Sequence, residues 1–176
     1  MRSYTVRALE RDDFAALMRL EDEIFANDGE AVLGAYYVRL CCEFFRSTCF
    51  VVLDAGQPVG YVLSFVQERE AYCTTLAVLP RYQRSRVLHL LLGALVKALA
   101  PRVDSCWFTV KHDNAAARAL QRGLGAQEVE VRRDFYGGGD DRIVSRIDRS
   151  ALLLLRKRYA RLGLADAGTE RLGSAA

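Results

Sequence analysis

The sequence predicts an α/β fold, with a mixed central β-sheet flanked by helices and one additional helix at the C-terminus. Apolar, β-branched runs of strand length alternate with longer segments whose apolar residues recur at helical spacing. Residues 74–99 follow this rule most clearly, as a strand, a short polar loop and a helix. A turn at Ala55-Gly56-Gln57-Pro58 joins two strand-like runs and predicts an antiparallel hairpin in the same sheet.

The N-terminal part of the chain is predicted as one strand, two helices and the hairpin. Asp12 or Asp13 is a suitable N-cap for the first helix, and Asn27-Asp28-Gly29 is a suitable break after it. The apolar residues of both helices fall on one face. In chain order we predict a strand at 3–8, helices at about 13–26 and 30–45, and the hairpin strands at 48–54 and 59–67.

The remainder of the chain alternates between strands and helices. Pro80 ends one strand and Pro101 ends the following helix, because proline lacks the backbone N–H that both elements use. Gly137-Gly138-Gly139 is predicted to join the last two strands flexibly. In chain order we predict a strand leading to Val78, a helix at 87–100, a strand at 105–110, a helix at 114–124, strands at 129–133 and 142–147, and a helix at 150–161.

Composition narrows the class of protein. The 176 residues are 51% hydrophobic and carry a net charge of +3, which favours a globular domain and gives no reason to expect nucleic acid as a partner. The charged N-terminus and the lack of a long apolar run predict a cytoplasmic protein that does not bind membranes. Five cysteines without a CxxC pair predict reduced, buried thiols, and two histidines do not suggest a metal site.

Two segments are expected, a domain over residues 1–148 and a C-terminal helix with a flexible tail over 149–176. The helix is rich in leucine and basic residues. Its apolar face could dock on the domain, dock on a second copy to form a homodimer, or lie on a membrane surface. The first two alternatives are favoured because the helix is short. Residues 162–176 are rich in glycine and alanine and are predicted to be disordered.

The loop between the strand at 74–79 and the following helix is a candidate phosphate site. A helix start presents unpaired backbone N–H groups and the positive end of the helix dipole, both of which favour bound anions. Arg81, Arg84 and Arg86 add positive charge at the same place. We therefore predict that a phosphorylated co-substrate binds here.

Three motifs resemble the GNAT superfamily of N-acetyltransferases. The segment LAVLPRYQR resembles its acetyl-CoA signature, VKHDNAAARALQRGLG resembles its asparagine-containing segment, and VRRDFY resembles the RimI-like branch. The resemblance covers about residues 4–148 and implies the GNAT fold with acetyl-CoA as co-substrate. The CoA-binding residues that it implies are the backbone of Leu76, Ala77 and Val78, the loop Gln83, Arg84, Ser85, Arg86, Val87 and Leu88, and Asn114.

Four positions depart from the pattern that the resemblance implies. Arg86 stands where the superfamily has glycine, and Leu88 where it has glycine or alanine. Gln121 stands where it has a tyrosine acid, and Thr109 where the RimI-like branch has a glutamate base. These departures support an alternative hypothesis, in which the domain is catalytically degenerate and acts as a CoA-binding or protein-interaction module.

Three residues are the first candidates for catalysis. Tyr72 falls where other superfamily members keep a base, Glu70 lies at the mouth of the same strand, and Tyr136 belongs to the VRRDFY segment that lines the acceptor site of related enzymes. Such groups could move a proton directly or through a water molecule. Weaker candidates are Glu68, Tyr36, Tyr37 and His112.

The predicted function is transfer of an acetyl group from acetyl-CoA to a primary amine. The RimI-like segment favours a peptide N-terminus or a lysine, and a small amine or amino acid is left open. A site without a strong base can still act on an amine that arrives neutral, because attack then depends mainly on proximity. A longer acyl group is a further alternative, since the small residue Ala126 stands where the superfamily has phenylalanine.

Overall fold

The fold was described from a computed structural model, in which residues 4–26 and 32–164 are described. Seven strands and five α-helices follow one another in the predicted order. The strands are β1 (Tyr4–Ala8), β2 (Phe50–Asp54), β3 (Gln57–Gln67), β4 (Glu70–Val78), β5 (Ser105–Lys111), β6 (Gln127–Arg132) and β7 (Arg142–Asp148). The helices are α1 (Phe14–Phe25), α2 (Ala35–Glu43), α3 (Val87–Leu99), α4 (Ala115–Gly123) and α5 (Arg149–Arg161).

All seven strands form one mixed sheet in the order β1-β2-β3-β4-β5-β7-β6. β4 and β5 pair in parallel, and every other neighbouring pair is antiparallel. The crossover helix α3 joins the two parallel strands, as a parallel connection requires. The predicted α/β class with a mixed central sheet is therefore confirmed.

Several predicted boundaries in the N-terminal part were wrong. The hairpin strand predicted from residue 59 begins at Gln57, and the helix predicted to end at residue 45 ends at Glu43. The helix predicted from residue 30 begins at Ala35, because residues 32–34 are irregular and Gly34 provides the extended N-cap. The strand predicted from residue 48 begins at Phe50, since residues 46–48 form a short 3-10 turn. Thr48 is held in this turn because its hydroxyl donates to the Ser64 carbonyl at 2.8 Å. The predicted break at 27–29 lies outside the described residues.

One continuous hydrophobic core joins the helices to the sheet. Helix α3 is buried along most of its length, packs on β2 and β3, and also contacts α5. All five cysteines are buried, as predicted, and none is joined in a disulfide. Their reduced state stays a prediction. Across the described segments, no helix is both long and apolar enough to cross a membrane.

The C-terminal helix α5 docks on the domain rather than projecting from it. Asp148 caps the helix by accepting from the Ala151 N–H at 2.9 Å. After the end of α5, the backbone of Leu164 packs closely on Gly93 of α3. A Cβ atom added at Gly93 would lie only 2.5 Å from the Leu164 carbonyl oxygen. The division of the chain at residue 148 stays a prediction. The predicted disorder from residue 162 was wrong for residues 162–164, because their backbone N–H groups bond to the last turn of α5 and Leu164 is buried. The rest of the predicted tail, from residue 165 onward, lies outside the described residues.

Replacing Leu152 with alanine is expected to lower the free energy of unfolding by about 2 kcal/mol, because it leaves a cavity between α5 and the core. Leu152 is 1% exposed, whereas Leu154 on the same helix is 67% exposed. Leu154→Ala is therefore the matched control and is expected to change stability by less than about 0.5 kcal/mol. Urea unfolding of both variants measures the difference. Equal stability of the two variants would show that α5 is not docked in solution.

Candidate functional site

The sheet opens between β4 and β5, and this opening is the centre of the candidate site. The two strands pair only over Glu70↔Ser105, Ala71↔Cys106 and Tyr72↔Trp107. Beyond that point β4 stays paired with β3 as far as Val78, and β5 stays paired with β7 as far as Lys111. The facing backbone edges of the two strands are therefore available to a ligand, which is where Leu76, Ala77 and Val78 were predicted to bind CoA.

A β-bulge in β4 bends the strand at the start of this opening. Cys73 pairs with Ser64 and Thr75 pairs with Leu63, so Thr74 is the extra residue. The Thr74 hydroxyl donates to the Leu63 carbonyl at 3.2 Å and also hydrogen-bonds with the hydroxyl of Tyr37 on α2. Hydrogen bonds to β3 and to α2 thus hold the bulge in place.

Three hydroxyl groups meet where β4 and β5 part. The Tyr72 hydroxyl lies 2.8 Å from the Thr109 hydroxyl and 3.2 Å from that of Tyr136. Tyr72 and Thr109 point to the same face of the sheet, whereas Tyr136 reaches it from the loop between β6 and β7. Tyr136 is held over the site by Arg142, whose guanidinium lies 5.0 Å from the ring centroid.

Burial raises the pKa of Tyr72 above its ordinary value, and the hydrogen bond with Thr109 lowers it by less. A phenol with a raised pKa keeps its proton at neutral pH. Tyr72 can therefore donate a proton or a hydrogen bond, whereas its predicted action as a base is disfavoured. Thr109 can only relay a proton, because its hydroxyl does not titrate in this range.

A cavity of about 790 Å³ opens beside this hydroxyl group cluster. Its floor is the face of β3, β4 and β5, and the segment that follows β6 forms one wall. Half of its lining residues are apolar or aromatic and half are polar or charged. The lining residues are Phe65, Gln67, Glu68, Arg69, Glu70, Ala71, Tyr72, Trp107, Thr109, Arg132, Phe135 and Val144.

The loop before α3 adopts a backbone that does not require glycine. Arg86 has φ −69° and ψ −9°, which any L-residue reaches without strain. The Leu88 side chain is half-buried and packs against the core. The Ser85 hydroxyl donates to the Tyr82 carbonyl at 2.6 Å and accepts from the Val87 N–H at 3.3 Å. The two departures from glycine are therefore compatible with an ordered loop.

Charge at this loop is concentrated on two arginines. Arg84 and Arg86 are exposed, and neither has an ion-pair partner among residues 4–26 and 32–164. Arg81 instead donates to Glu23 at 2.9 Å and lies over the ring of Tyr82. The two unpaired guanidinium groups stand beside a helix N-terminus, which is a suitable environment for phosphate.

Some of the remaining residues predicted for the site line the cavity, and others lie outside it. Asn114 caps α4, since its side chain accepts from the Ala117 N–H at 3.0 Å. Glu70 lines the cavity and accepts from the Ser105 hydroxyl at 3.2 Å, and Glu68 lies at the same mouth. Tyr36 is 79% exposed on α2 and is absent from the lining. The structure thus brings the Tyr72 and Tyr136 hydroxyls into contact and places Glu70 on the lining of the same cavity as Tyr72. The catalytic roles of these three residues stay predictions.

Sequence reasoning did not identify two residues that shape the site. Thr109 was considered only as an absent base, yet its hydroxyl is the nearest hydrogen-bond partner of Tyr72. Trp107 was not considered, and it lines the cavity beside Tyr72. Their position was available in principle, because residues two apart on a strand face the same side. The pairing partner of the strand was not available from the sequence.

The family model described as "Acetyltransferase (GNAT) family" matches residues 11–126, which include the strand opening and the loop before α3. The chain belongs to the acetyltransferase (GNAT) family. This membership confirms the predicted resemblance and identifies the chain as an acyltransferase that moves an acetyl group from acetyl-CoA to an amine.

Individual relatives place the chain near the RimI-like members of the GNAT family. It is 30% identical over 149 residues to the [ribosomal protein bS18]-alanine N-acetyltransferase of Escherichia coli strain K12, a match that spans 78% of this chain and 90% of the relative. The crystal structure of the ribosomal-protein-S18-alanine N-acetyltransferase from Escherichia coli superposes with a TM-score of 0.68 at 27% identity, covering 82% of this chain and 93% of that one.

A further structure supports the fold alone. Diaminobutyrate acetyltransferase from Paenibacillus lautus superposes with a TM-score of 0.71 at 18% identity, over 85% of this chain and 96% of that one.

The curated relatives cited above are named as acetyltransferases, as is the family. The comparisons therefore support the GNAT enzyme and not the alternative of a degenerate binding module.

Proposed function

We propose that the chain transfers the acetyl group of acetyl-CoA to the N-terminal α-amine of a peptide or protein. The observation that carries this proposal is the cluster of Tyr72, Thr109 and Tyr136 hydroxyls, which lies between the strand opening and the cavity. Acetyl-CoA would enter through the opening, and the amine through the cavity. The names of the RimI-like relatives support a peptide amine as the acceptor.

The reaction needs one proton to move from nitrogen to sulfur. The neutral amine attacks the thioester carbonyl carbon, the C–N bond forms, and the C–S bond then breaks to release the CoA thiolate. The Tyr72 hydroxyl donates its proton to that thiolate. The ammonium formed on attack returns a proton to Tyr72, through the neighbouring Thr109 hydroxyl or a water molecule. Tyr136 holds the Tyr72 hydroxyl from the exposed side.

The acceptor amine is proposed to arrive neutral. Glu70 lies two residues before Tyr72 on β4, and its carboxylate accepts from Ser105. Neither Thr109 nor a tyrosine with a raised pKa removes a proton from an ammonium group at neutral pH. An α-amine is partly neutral at that pH, whereas a lysine side chain is almost fully protonated, so the site favours an N-terminus over a lysine.

Acetyl-CoA is proposed to bind along the opened edge of β4 and at the loop before α3. The backbone of Leu76, Ala77 and Val78 would pair with the amide groups of its pantetheine arm. The guanidinium groups of Arg84 and Arg86 and the first N–H groups of α3 would contact its phosphates. Asn114 is proposed to act only as the cap of α4.

Replacing both Arg84 and Arg86 with alanine is expected to raise KM for acetyl-CoA about 10-fold, because each exposed charge pair contributes up to about 1 kcal/mol. S-acetylpantetheine has no phosphates, so its KM is expected to stay the same in the variant. Arg156→Ala, which removes an exposed charge on α5, is the matched control. Steady-state kinetics with both thioesters measures the effect, and an equal rise in both KM values would contradict phosphate binding at these arginines.

The proposed acceptor is tested with a lysine-free peptide in two forms, one with a free N-terminus and one with that amine already acetylated. Release of CoA thiol and the mass of the peptide report transfer. We expect turnover and a gain of one acetyl group with the free peptide, and neither with the blocked peptide. Failure to acetylate any free peptide would overturn the proposed acceptor class.

The predicted homodimer and the predicted cytoplasmic location each call for a separate measurement. The apolar side of α5, with Leu155 and Tyr159, is buried within the chain, so a homodimer would have to use another surface. A cytoplasmic location is proposed from the likeness to the RimI-like relatives. Light scattering and cell fractionation measure these two properties.

A further inference from the structure

A contact between two hydroxyl groups ties helix α2 to strand β4 at the β-bulge. Tyr37 lies in the first turn of α2, and its hydroxyl hydrogen-bonds with that of Thr74, the extra residue of the bulge. The Thr74 hydroxyl also donates to the Leu63 carbonyl on β3 at 3.2 Å. The register of β3 and β4 shifts between Leu63 and Ser64, so this carbonyl lies where the ladder is irregular. The contact therefore joins α2, β3 and β4 at the point where β4 bends.

The direction of these hydrogen bonds follows from the acceptor on β3. A hydroxyl has one proton, and that of Thr74 is donated to the Leu63 carbonyl, so the Thr74 oxygen accepts from Tyr37. Burial raises the pKa of Tyr37, which keeps its proton at neutral pH and can act as this donor. The Cys41 thiol, one turn along α2, contacts the same Tyr37 hydroxyl. Donation thus runs from Tyr37 through Thr74 to the backbone of β3.

The ring of Tyr37 packs beside the cavity floor without forming part of it. It lies edge-on to Phe65 with 5.5 Å between ring centroids, and Phe65 lies edge-on to Phe45 at 4.5 Å. Phe65 lines the cavity and pairs with Tyr72 across β3 and β4. Tyr37 lies outside the cavity lining. It can therefore act on the reacting groups only through the residues that it holds in place.

The bulge lies between the two parts of the site that the reaction must bring together. Tyr72, the proposed proton donor, comes two residues before Thr74 on β4, and the edge proposed to bind pantetheine, residues 76–78, begins two residues after it. A change at the bulge moves these two parts relative to each other, because the strand bends there. Misplacement of reacting groups by about 1 Å can lower a rate about 100-fold. The conformation of Thr74 therefore affects the alignment of the proton donor with the thioester.

We propose that Tyr37 is a positioning residue for acetyl transfer, which holds the Thr74 bulge in the conformation that aligns the Tyr72 hydroxyl with the thioester. This inference rests on the proposed function and adds to it a residue that lies outside the cavity lining. Tyr37 is not the proton carrier that the sequence suggested, because its proton is already donated to Thr74.

The test uses variants that remove one hydroxyl and keep the shape of the side chain. Tyr37→Phe keeps the ring contact with Phe65, and Thr74→Val keeps a β-branched side chain at the bulge. Each is expected to lower kcat about 10-fold, because the proton donor and the thioester are then less well aligned. KM for acetyl-CoA is expected to change little, since the phosphate loop is untouched. Steady-state kinetics with the lysine-free peptide that has a free N-terminus measures both constants.

Two further variants separate positioning from a purely structural role. Thr74→Ser keeps a hydroxyl and is expected to retain a kcat close to that of the unmodified protein. In the double variant Tyr37→Phe/Thr74→Val, kcat is expected to fall no further than in the single variants, because both changes remove the same hydrogen bond. Tyr36→Phe, at a side chain that is 79% exposed on the same helix, is the matched control and is expected to leave kcat unchanged.

The results decide the question even if one variant folds poorly. Unchanged kcat in Tyr37→Phe and Thr74→Val, or losses that multiply in the double variant, would overturn the inference and leave the proposed function intact. A rise in KM for acetyl-CoA at constant kcat would also overturn it and assign the pair to co-substrate binding. If Tyr37→Phe does not fold, equal kcat in Thr74→Ser and Thr74→Val would contradict the inference. Absence of turnover by the unmodified protein would overturn the proposed function and the inference with it.

Discussion

Replacing Tyr72 with phenylalanine is expected to lower kcat about 100-fold, which is the lower end of the usual contribution of a positioned proton donor. The variant keeps the ring that stands between Phe65 and Trp107 and loses only the hydroxyl that lies 2.8 Å from Thr109. KM for acetyl-CoA is expected to change little, because Tyr72 lies away from the phosphate loop. Steady-state kinetics on the purified variant measures both constants.

Two tyrosine variants serve as comparisons for Tyr72→Phe. Tyr36→Phe removes a hydroxyl from an exposed side chain outside the cavity lining and is expected to leave kcat unchanged. Tyr136→Phe removes the second partner of the Tyr72 hydroxyl and is expected to lower kcat by less than Tyr72→Phe. A Tyr72→Phe enzyme with the kcat of the unmodified protein would exclude this hydroxyl as the proton donor.

We expect the ratio of kcat/KM between an α-amine and a lysine side chain to be larger than the effect of Tyr72→Phe on kcat. At pH 7 the neutral fraction of an α-amine with a pKa of about 7.8 exceeds that of a lysine with a pKa of about 10.4 by roughly 300-fold. If the site binds only the neutral amine, kcat/KM for the α-amine peptide exceeds kcat/KM for the lysine peptide by the same factor. Two peptides of equal length, one with a free N-terminus and one blocked but containing a single lysine, measure the ratio.

The dependence on pH follows from the same argument. For the free peptide, kcat/KM is expected to rise about 10-fold per pH unit below roughly pH 7.7 and to level off above about pH 8, as the substrate α-amine loses its proton. Because the pKa of Tyr72 is raised by burial, loss of its proton is expected only above the ordinary range of tyrosine. The profile should therefore show no decline up to about pH 9.5.

A different outcome would point to a base within the site. If the lysine peptide reacts within about 10-fold of the free peptide at pH 7, the enzyme itself must remove the proton from the ammonium group. Glu70 would then be the residue to examine, since it lines the cavity on the same face of β4 as Tyr72. Reactions without enzyme provide the background for both peptides.

The loop before α3 illustrates how a family motif can change without loss of its backbone. Glycine in such loops permits close approach and unusual dihedral angles. Here Arg86 lies in the right-handed helical region, and the Leu88 side chain turns towards the core. Substitution of glycine therefore adds a cation on one side and an apolar contact on the other, and leaves the helix N-terminus available.

Sequence by itself determined the order of elements, the α/β class, the family and the loop before α3. Each of these depends on local features, such as apolar periodicity, Pro80 and Pro101 at element ends, and short motifs. The limits of α2 and β2 were less accurate, because residues 32–34 and 46–48 are held in irregular or 3-10 conformation by tertiary contacts that no local pattern shows.

Only the tertiary structure decided which side chains form the site. Tyr72 meets Thr109 from 37 positions away and Tyr136 from 64 positions away, through strand pairing and the loop after β6. The point at which β4 and β5 part, and hence the cavity floor, depends on the register of both strands and on the bulge at Thr74. Such contacts form only when the whole sheet assembles, because the free energy of each pairing depends on neighbours distant in sequence.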